Sequence, residues 1–200
     1  MSRVVLSFSS IACLALALGV RAQVPAQTPQ QVAASLHGDA VVVARVAHSG
    51  TGVRAGRAST VLDLPLETVM GVVTDYARYK DFLPHFTQSR VLAKRGATAN
   101  VYIEAQLLGG AAVVWAEIHI EEAASVGATR VVTSRVTHTN TRRLDARWEI
   151  TPITATRTLV TFELLVEPDL PFPDDMMSNE NEVATRDSVR NLRAHVAGLH

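Results

Sequence analysis

The chain between residues 86 and 167 alternates apolar and polar side chains, a pattern typical of β-strands that bury one face. Gly96, Gly109-Gly110 and Gly127 interrupt the alternation and predict turns. Because such short connections join antiparallel neighbours, the pattern predicts an antiparallel meander. Its six strands are predicted at Phe86–Arg95, Asn100–Leu108, Ala111–Glu121, Thr129–His138, Leu144–Thr151 and Thr156–Glu167.

Two more strands and two short helices are predicted before the meander, and one long helix after it. The strands are Val41–Arg45 and Arg54–Leu62, and the first helix begins at Pro65, which suits a first helical position. The second short helix runs from Tyr76 to Phe82. The long helix, roughly Asn179 to Leu199, has an apolar face. This order predicts an α+β fold in which the long helix covers one face of a curved antiparallel sheet.

The N-terminus has the pattern of an export signal. Arg3 precedes an apolar stretch from Val4 to Val20, and small residues at positions 20 and 22 form a cleavage site. A membrane anchor is the alternative, but the apolar stretch is short for one. We therefore predict a signal peptide at residues 1–22, a flexible leader at 23–38 and a single domain at 39–200. The mature protein is expected to be exported, either periplasmic or secreted, with no stable membrane span after processing.

The composition argues against several classes of function. Nineteen basic and nineteen acidic residues give no charge excess that would favour nucleic acid. The single cysteine, Cys13, lies inside the predicted signal, so the mature protein has no thiol for a disulfide or a thiolate metal site. We expect no metal, no cofactor and no nucleic-acid partner. The sequence indicates neither an oligomeric state nor a protein partner.

Four segments carry a family resemblance: Asp63-Leu64-Pro65, Thr74–Pro84 (TDYARYKDFLP), Ser89–Leu92 and Leu144–Trp148. With these segments the chain resembles the START-like superfamily, also called helix-grip or SRPBCC proteins, and within it the polyketide cyclase and coenzyme Q-binding group. It covers about Val53 to Leu199. It implies a helix-grip fold with an apolar cavity between the sheet and the C-terminal helix. It implies the ligand class only loosely, because the superfamily includes lipid carriers, hormone binders, cyclases and hydrolytic members.

The inward faces of the predicted strands are apolar and include small residues that leave room for a ligand. A solid core in which small and large residues interlock is the alternative, and the resemblance favours a cavity. The predicted cavity lining is Phe82, Ile103, Ala105, Val114, Ala116, Ile118, Ala146, Trp148, Phe162, Leu164, Val189, Leu192 and Val196. Phe172, Met176 and Met177, before the long helix, are a possible lid, or simply lead into that helix.

These inward faces contain no carboxylate, histidine or lysine, so we predict no catalytic residue. His85, beside the opening predicted between the short helices and the sheet, is more typical of a loop histidine than of a catalytic one. The sequence therefore favours a carrier of a lipid, quinone or polyketide-like ligand. A cyclase or aromatase that uses the same pocket, and an envelope protein whose apolar groove binds another protein, are the alternatives.

Overall fold

Eight antiparallel strands form one sheet in the computed structural model, which describes residues 28–38 and 40–198. The strands are β1 (Val42–Val46), β2 (Ala55–Leu62), β3 (Phe86–Arg95), β4 (Thr98–Leu107), β5 (Ala112–Val126), β6 (Thr129–Thr139), β7 (Thr141–Thr154) and β8 (Arg157–Pro168). Their order in the sheet is β1-β2-β8-β7-β6-β5-β4-β3, so the meander from β3 to β8 is continuous and β2 pairs with β8.

The longest helix packs across the inner face of this sheet. It contacts β1, β2 and β8, whereas the two short helices after β2 lie against β3, β7, β8 and the long helix. The helices are α1 (Pro29–Ser35), α2 (Leu66–Val73), α3 (Tyr79–Phe82) and α4 (Asp174–Ala197). The α+β fold with a curved antiparallel sheet around a long C-terminal helix is therefore confirmed. The six meander strands lie where the alternation predicts them, with ends that differ by a few residues.

Helix α4 is held close to the sheet at β2 and β8 by hydrogen bonds and by a glycine. Asn181 of α4 is fully buried, and its side-chain oxygen accepts a hydrogen bond from the backbone N–H of Val166 at 3.1 Å. Its amide donates to the carbonyl oxygens of Arg54 and Val166. A side chain at Gly56 would overlap the carbonyl of Asn181 and the hydroxyl of Thr185. These contacts hold α4 against one side of the sheet and leave β4 to β7 to curve over its other side.

The segment between α2 and β3 forms an aromatic cluster under the edge of the sheet. The rings of Tyr76 and Tyr79, and those of Tyr79 and Phe82, meet edge to face at 5.6 Å between centroids. Tyr79 also packs edge to face against Phe86 of β3. Edge-to-face pairs place the positive rim of one ring on the negative face of the next. The cluster therefore anchors α3 to β3 at one end of the sheet.

The predicted flexible leader differs from the structure in its second half. Residues 29–35 form α1, which begins with a capping box between Thr28 and Gln31. Ala33 and Leu36 are buried against Val61 and Leu159 on the outer face of the sheet. The packed part of the chain therefore begins before residue 39. The predicted signal peptide and residues 23–27 lie outside the described residues, so those predictions remain as they were.

Candidate functional site

A cavity of about 80 Å³ lies between the inner face of β4 to β8 and α4. Its wall is almost entirely apolar, because the strands that form it turn their apolar positions inward. Trp148 of β7 and Phe162 of β8, which are partners in the sheet, stack on the wall at 4.0 Å between ring centroids. The candidate site is thus a small apolar cavity in a core that is otherwise well packed.

Nine of the thirteen residues predicted to line a cavity lie on this wall. Every one of them comes from a strand, where the alternation of apolar and polar positions marks the inward side. The nine are Ile103, Ala105, Val114, Ala116, Ile118, Ala146, Trp148, Phe162 and Leu164.

The other four predicted lining residues lie elsewhere in the core. Val189, Leu192 and Val196 of α4 are buried in the main cluster but not on the cavity wall, and the ring of Phe82 packs on that of His195. Helix α4 instead contributes Ala184 and Ser188 to the wall. Large apolar residues fill the space that they face, so the open space lies where a helix carries small residues. Small residues four apart on α4 were the signal that sequence reasoning missed.

The predicted lid residues do not lie on the cavity wall either. Met177 is buried in the core, and the partly buried Phe172 packs against that core. Met176 is 46% exposed, and none of the three lies on the cavity wall. Asp174 to Met177 form the first turn of α4, which begins five residues earlier than the predicted Asn179. Phe172 therefore precedes the helix, whereas Met176 and Met177 belong to its first turn.

The loop between α3 and β3 lies at the mouth of the cavity. Leu83, Pro84 and Phe86 line it together with His85, whose side chain is exposed. His85 has a φ of 67°, in the left-handed region that few residues other than glycine adopt. Among the described residues on the cavity wall, His85 is the only imidazole, and no carboxylate or amine accompanies it.

Four residues of the lining carry hydroxyl groups, and three of these hydroxyls donate hydrogen bonds to backbone carbonyls. The four are Tyr79, Thr133, Ser134 and Ser188. Tyr79 donates to the carbonyl of Val73 at 2.7 Å, Ser188 to that of Ala184 at 2.7 Å and Ser134 to that of Ala146 at 3.3 Å. Burial raises the pKa of Tyr79 well above its ordinary value, so its phenol stays protonated at neutral pH. The hydroxyls of Ser134 and Ser188 retain acceptor lone pairs for a ligand.

Within residues 28–38 and 40–198, no three His, Cys, Asp or Glu side chains come together in a way that would hold a metal ion. Over the same ranges, no helix has both the length and the apolar character that crossing a bilayer requires.

The sequence of residues 62–193 matches a protein family described as polyketide cyclase / dehydrase and lipid transport. That match covers more than half of the chain. No curated protein sequence is similar enough to the chain to count as a relative.

Solved structures with the same fold come from bacteria and from humans. A STAR-related lipid transfer protein from Xanthomonas axonopodis matches with a TM-score of 0.70 and 14% identity, over 80% of this chain and 96% of that one. Human StAR-related lipid transfer protein 5 matches with 0.67 and 12%, over 82% and 85%. The Zhui aromatase/cyclase from a Streptomyces species matches with 0.54 and 14%, over 74% and 96%. Identities this low show the shared fold alone.

Proposed function

The chain belongs to the polyketide cyclase / dehydrase and lipid transport family, and from this premise we propose that it binds and carries an apolar small molecule. The ligand lies between the sheet and α4, and it is of the lipid, quinone or polyketide-like class. The observation that carries the proposal is the wall of the cavity, where apolar strand residues surround the space and the described lining residues include no carboxylate or amine.

An apolar wall provides the main driving force for such binding. Moving apolar ligand surface from water into the cavity contributes about 25 cal/mol per Å². Trp148 and Phe162, whose rings stack on each other, contribute aromatic surface to this contact. The lone pairs of Ser134 and Ser188 supply a small number of polar contacts that orient the ligand. This arrangement favours holding a ligand over transforming it.

The size of the cavity adds one requirement. Pockets for drug-sized ligands have volumes of about 300–1,000 Å³, whereas this cavity has about 80 Å³. A ligand of the proposed class must therefore widen the cavity as it enters, or place only part of itself there. Ala105, Ala116 and Ala146 lie on the wall, and their small side chains set the space that is available before widening.

The first experiment fills the cavity. Ala116→Leu and Ala146→Leu add apolar volume at the wall, and Ala123→Leu adds the same volume on β5 away from it. We expect wild-type protein and A123L to bind N-phenyl-1-naphthylamine with enhanced fluorescence and to release co-purified lipid in mass spectra. A116L and A146L should bind the dye at least about tenfold more weakly, which corresponds to about 1.4 kcal/mol. Wild-type protein that binds neither dye nor lipid would refute the proposal.

A second candidate function is a cyclase or aromatase that uses the same cavity. It is favoured by one observation, the imidazole of His85 at the cavity mouth. A positioned histidine can move a proton to or from a reactive carbonyl compound. A poly-β-ketone thioester should then be cyclised by wild-type protein, and His85→Gln should lose that activity while still binding the dye. Equal product profiles with and without protein would eliminate this candidate.

Export is part of the proposed function because the N-terminal sequence has the pattern of a cleaved signal. Protein isolated from the cell envelope or medium of its own host is expected to begin at Gln23. Edman sequencing or intact-mass measurement tests this expectation. A mature chain that still begins at Met1 and remains in the cytosol would contradict it.

A further inference from the structure

A second space opens on the surface, at the end of the sheet where α4 begins. It has a volume of about 410 Å³ and lies between the start of β5, the turn from β6 to β7 and the segment after β8. We call it the outer groove. Its lining residues are Val113, Val114, Thr139, Asn140, Thr141, Arg142, Pro168, Asp169 and Leu170.

Val114 lies between the outer groove and the apolar cavity. It is buried, and it is part of the lining of both spaces. The cavity alone is far smaller than a typical ligand pocket, but the two spaces together fall within the usual range of about 300–1,000 Å³. A ligand that passes Val114 would therefore fill a site of ordinary size.

The two spaces differ in polarity. The cavity wall is apolar, whereas the outer groove combines hydroxyl and amide groups with an ion pair. Asn140 accepts a hydrogen bond from the backbone N–H of Trp115 and donates to the carbonyl of Val113, both at 2.9 Å. These bonds fix the turn from β6 to β7 against β5. The groove is thus a defined polar surface beside an apolar one, which suits a molecule with a polar head and an apolar tail.

The charged groups beside the outer groove indicate which kind of head group it would bind. Arg142 donates to Asp169 at 3.0 Å and to Glu167 at 3.5 Å, so one cation faces two carboxylates. An anionic head would meet a site whose own charge is already negative. The guanidinium has five N–H donors, of which these two bonds use two, and the carboxylate of Asp169 still accepts. A hydroxyl group both donates and accepts, so a neutral head with hydroxyl groups satisfies both partners.

We propose that the outer groove binds the neutral head of an amphiphile, a head with two or more hydroxyl groups, whose apolar tail enters the cavity past Val114. The inference rests on the proposed function, since it assigns the polar end of the ligand that the cavity holds. It selects one class of amphiphile, of which a monoacylglycerol is an example, over fatty-acid anions of the same chain length.

The test compares three probes with twelve-carbon chains by displacement of N-phenyl-1-naphthylamine at pH 8. They are 1-monolauroylglycerol, dodecanol and laurate. Val113→Trp fills part of the groove, because Val113 is 49% exposed there. Val126→Trp is the matched control, since Val126 lies on the same strand, outside the groove, and is 70% exposed. Circular dichroism and thermal melts of both variants establish that they are folded.

We expect wild-type protein and V126W to prefer the monoacylglycerol over both other probes by about tenfold, which corresponds to about one or two hydrogen bonds. V113W should lose this preference and keep its affinity for dodecanol. Tightest binding of laurate, or a preference that survives in folded V113W, would overturn the groove assignment while the apolar-ligand function stands. If wild-type protein binds none of the three probes and no dye, the proposed function itself fails.

Discussion

At Gly56 the backbone of β2 approaches α4 without an intervening side chain. A Cβ atom there would overlap the backbone carbonyl of Asn181 and the hydroxyl of Thr185. The carbonyl belongs to a helix that also donates and accepts three side-chain hydrogen bonds through Asn181, so it has little freedom to move. The residue type at this position therefore decides how closely helix and sheet can pack.

Gly56→Ala should lower the free energy of unfolding by about 1–3 kcal/mol, the usual effect of overpacking a core. Gly71→Ala is the control, because Gly71 lies inside α2 with open space around it. That change should raise stability by about 0.5–1 kcal/mol, since alanine favours helix. Urea unfolding followed by circular dichroism measures both values. A G56A protein as stable as wild type would mean that α4 adapts freely.

Because of Tyr79, we expect the stability of the fold to fall at alkaline pH. Burial raises its pKa well above the ordinary value of 10.0, whereas the unfolded chain ionises near that value. Above pH 10 the unfolded state therefore binds fewer protons than the folded state, and stability falls as pH rises. Tyr76, whose pKa burial raises to about 12, contributes in the same direction.

Tyr79→Phe should lower stability by about 1–2 kcal/mol at pH 8, because the carbonyl of Val73 loses its hydrogen-bond donor. Wild type should then lose up to about 1.4 kcal/mol more per pH unit above 10 than the variant does. The difference between the two proteins is thus expected to shrink by pH 11. Urea unfolding at pH 8, 10 and 11 measures it, and a constant difference would rule out this titration.

Single residues also show how far sequence reasoning reaches into the site. Trp148 and Ala146 lie on the cavity wall as the alternation predicts, because a strand has only two sides. The prediction for α4 named Val189 and Leu192, whereas Ala184 and Ser188 line the wall. A hydrophobic stripe marks the buried face of a helix, but it does not reveal where along that face the opposing sheet curves away.

At the scale of elements, strands were easier to predict than helix ends. The apolar stripe predicted α4 only from Asn179, and the stretch before it was missed. Ser178 in that stretch is a polar residue at a buried position, where its hydroxyl donates to the carbonyl of Asp174. Helix α1 was missed because a short polar segment containing prolines resembles a linker. Its capping box and two buried side chains, rather than its hydrophobicity, make it a helix.

Leu36→Ala tests whether α1 is part of the folded domain. Leu36 is buried against Val61 and Leu159, so its truncation should lower the free energy of unfolding by about 2 kcal/mol or more. His37→Ala, at an exposed neighbouring position, should change it by less than about 0.5 kcal/mol. Chemical denaturation measures both. Equal stability of L36A and wild type would indicate a leader that adds nothing to the core.

At the scale of the whole molecule, a ligand that widens the cavity as proposed would move α4 and the sheet apart. One bond between them lies near the cavity: the backbone N–H of Leu108 donates to the carboxylate of Glu180 at 3.1 Å. Leu108 follows Leu107, which lies on the cavity wall, and its φ of 53° is unusual for a residue with a side chain. The bond holds the connection between β4 and β5 against the helix.

Glu180→Ala should therefore speed release of N-phenyl-1-naphthylamine by up to about tenfold, since a charge-assisted hydrogen bond contributes about 1.5 kcal/mol. Glu182→Ala removes a carboxylate that pairs with Arg45 instead, and serves as the control. Stopped-flow dilution of the dye complex gives the rates. Identical rates for E180A and wild type would place the opening elsewhere.

The pairing of β2 with β8 has a consequence for how the chain reaches this structure. Gly56 lies beside Leu164, so two strands that are far apart in the sequence must meet before the sheet is complete. Folding slows when such distant pairings dominate, because a long loop must close before they contribute any stability. A nascent chain exposes one edge of β2 until residues 157–168 have been synthesised. The protein is therefore protected from aggregation through that edge only after β8 has been synthesised and has paired with β2.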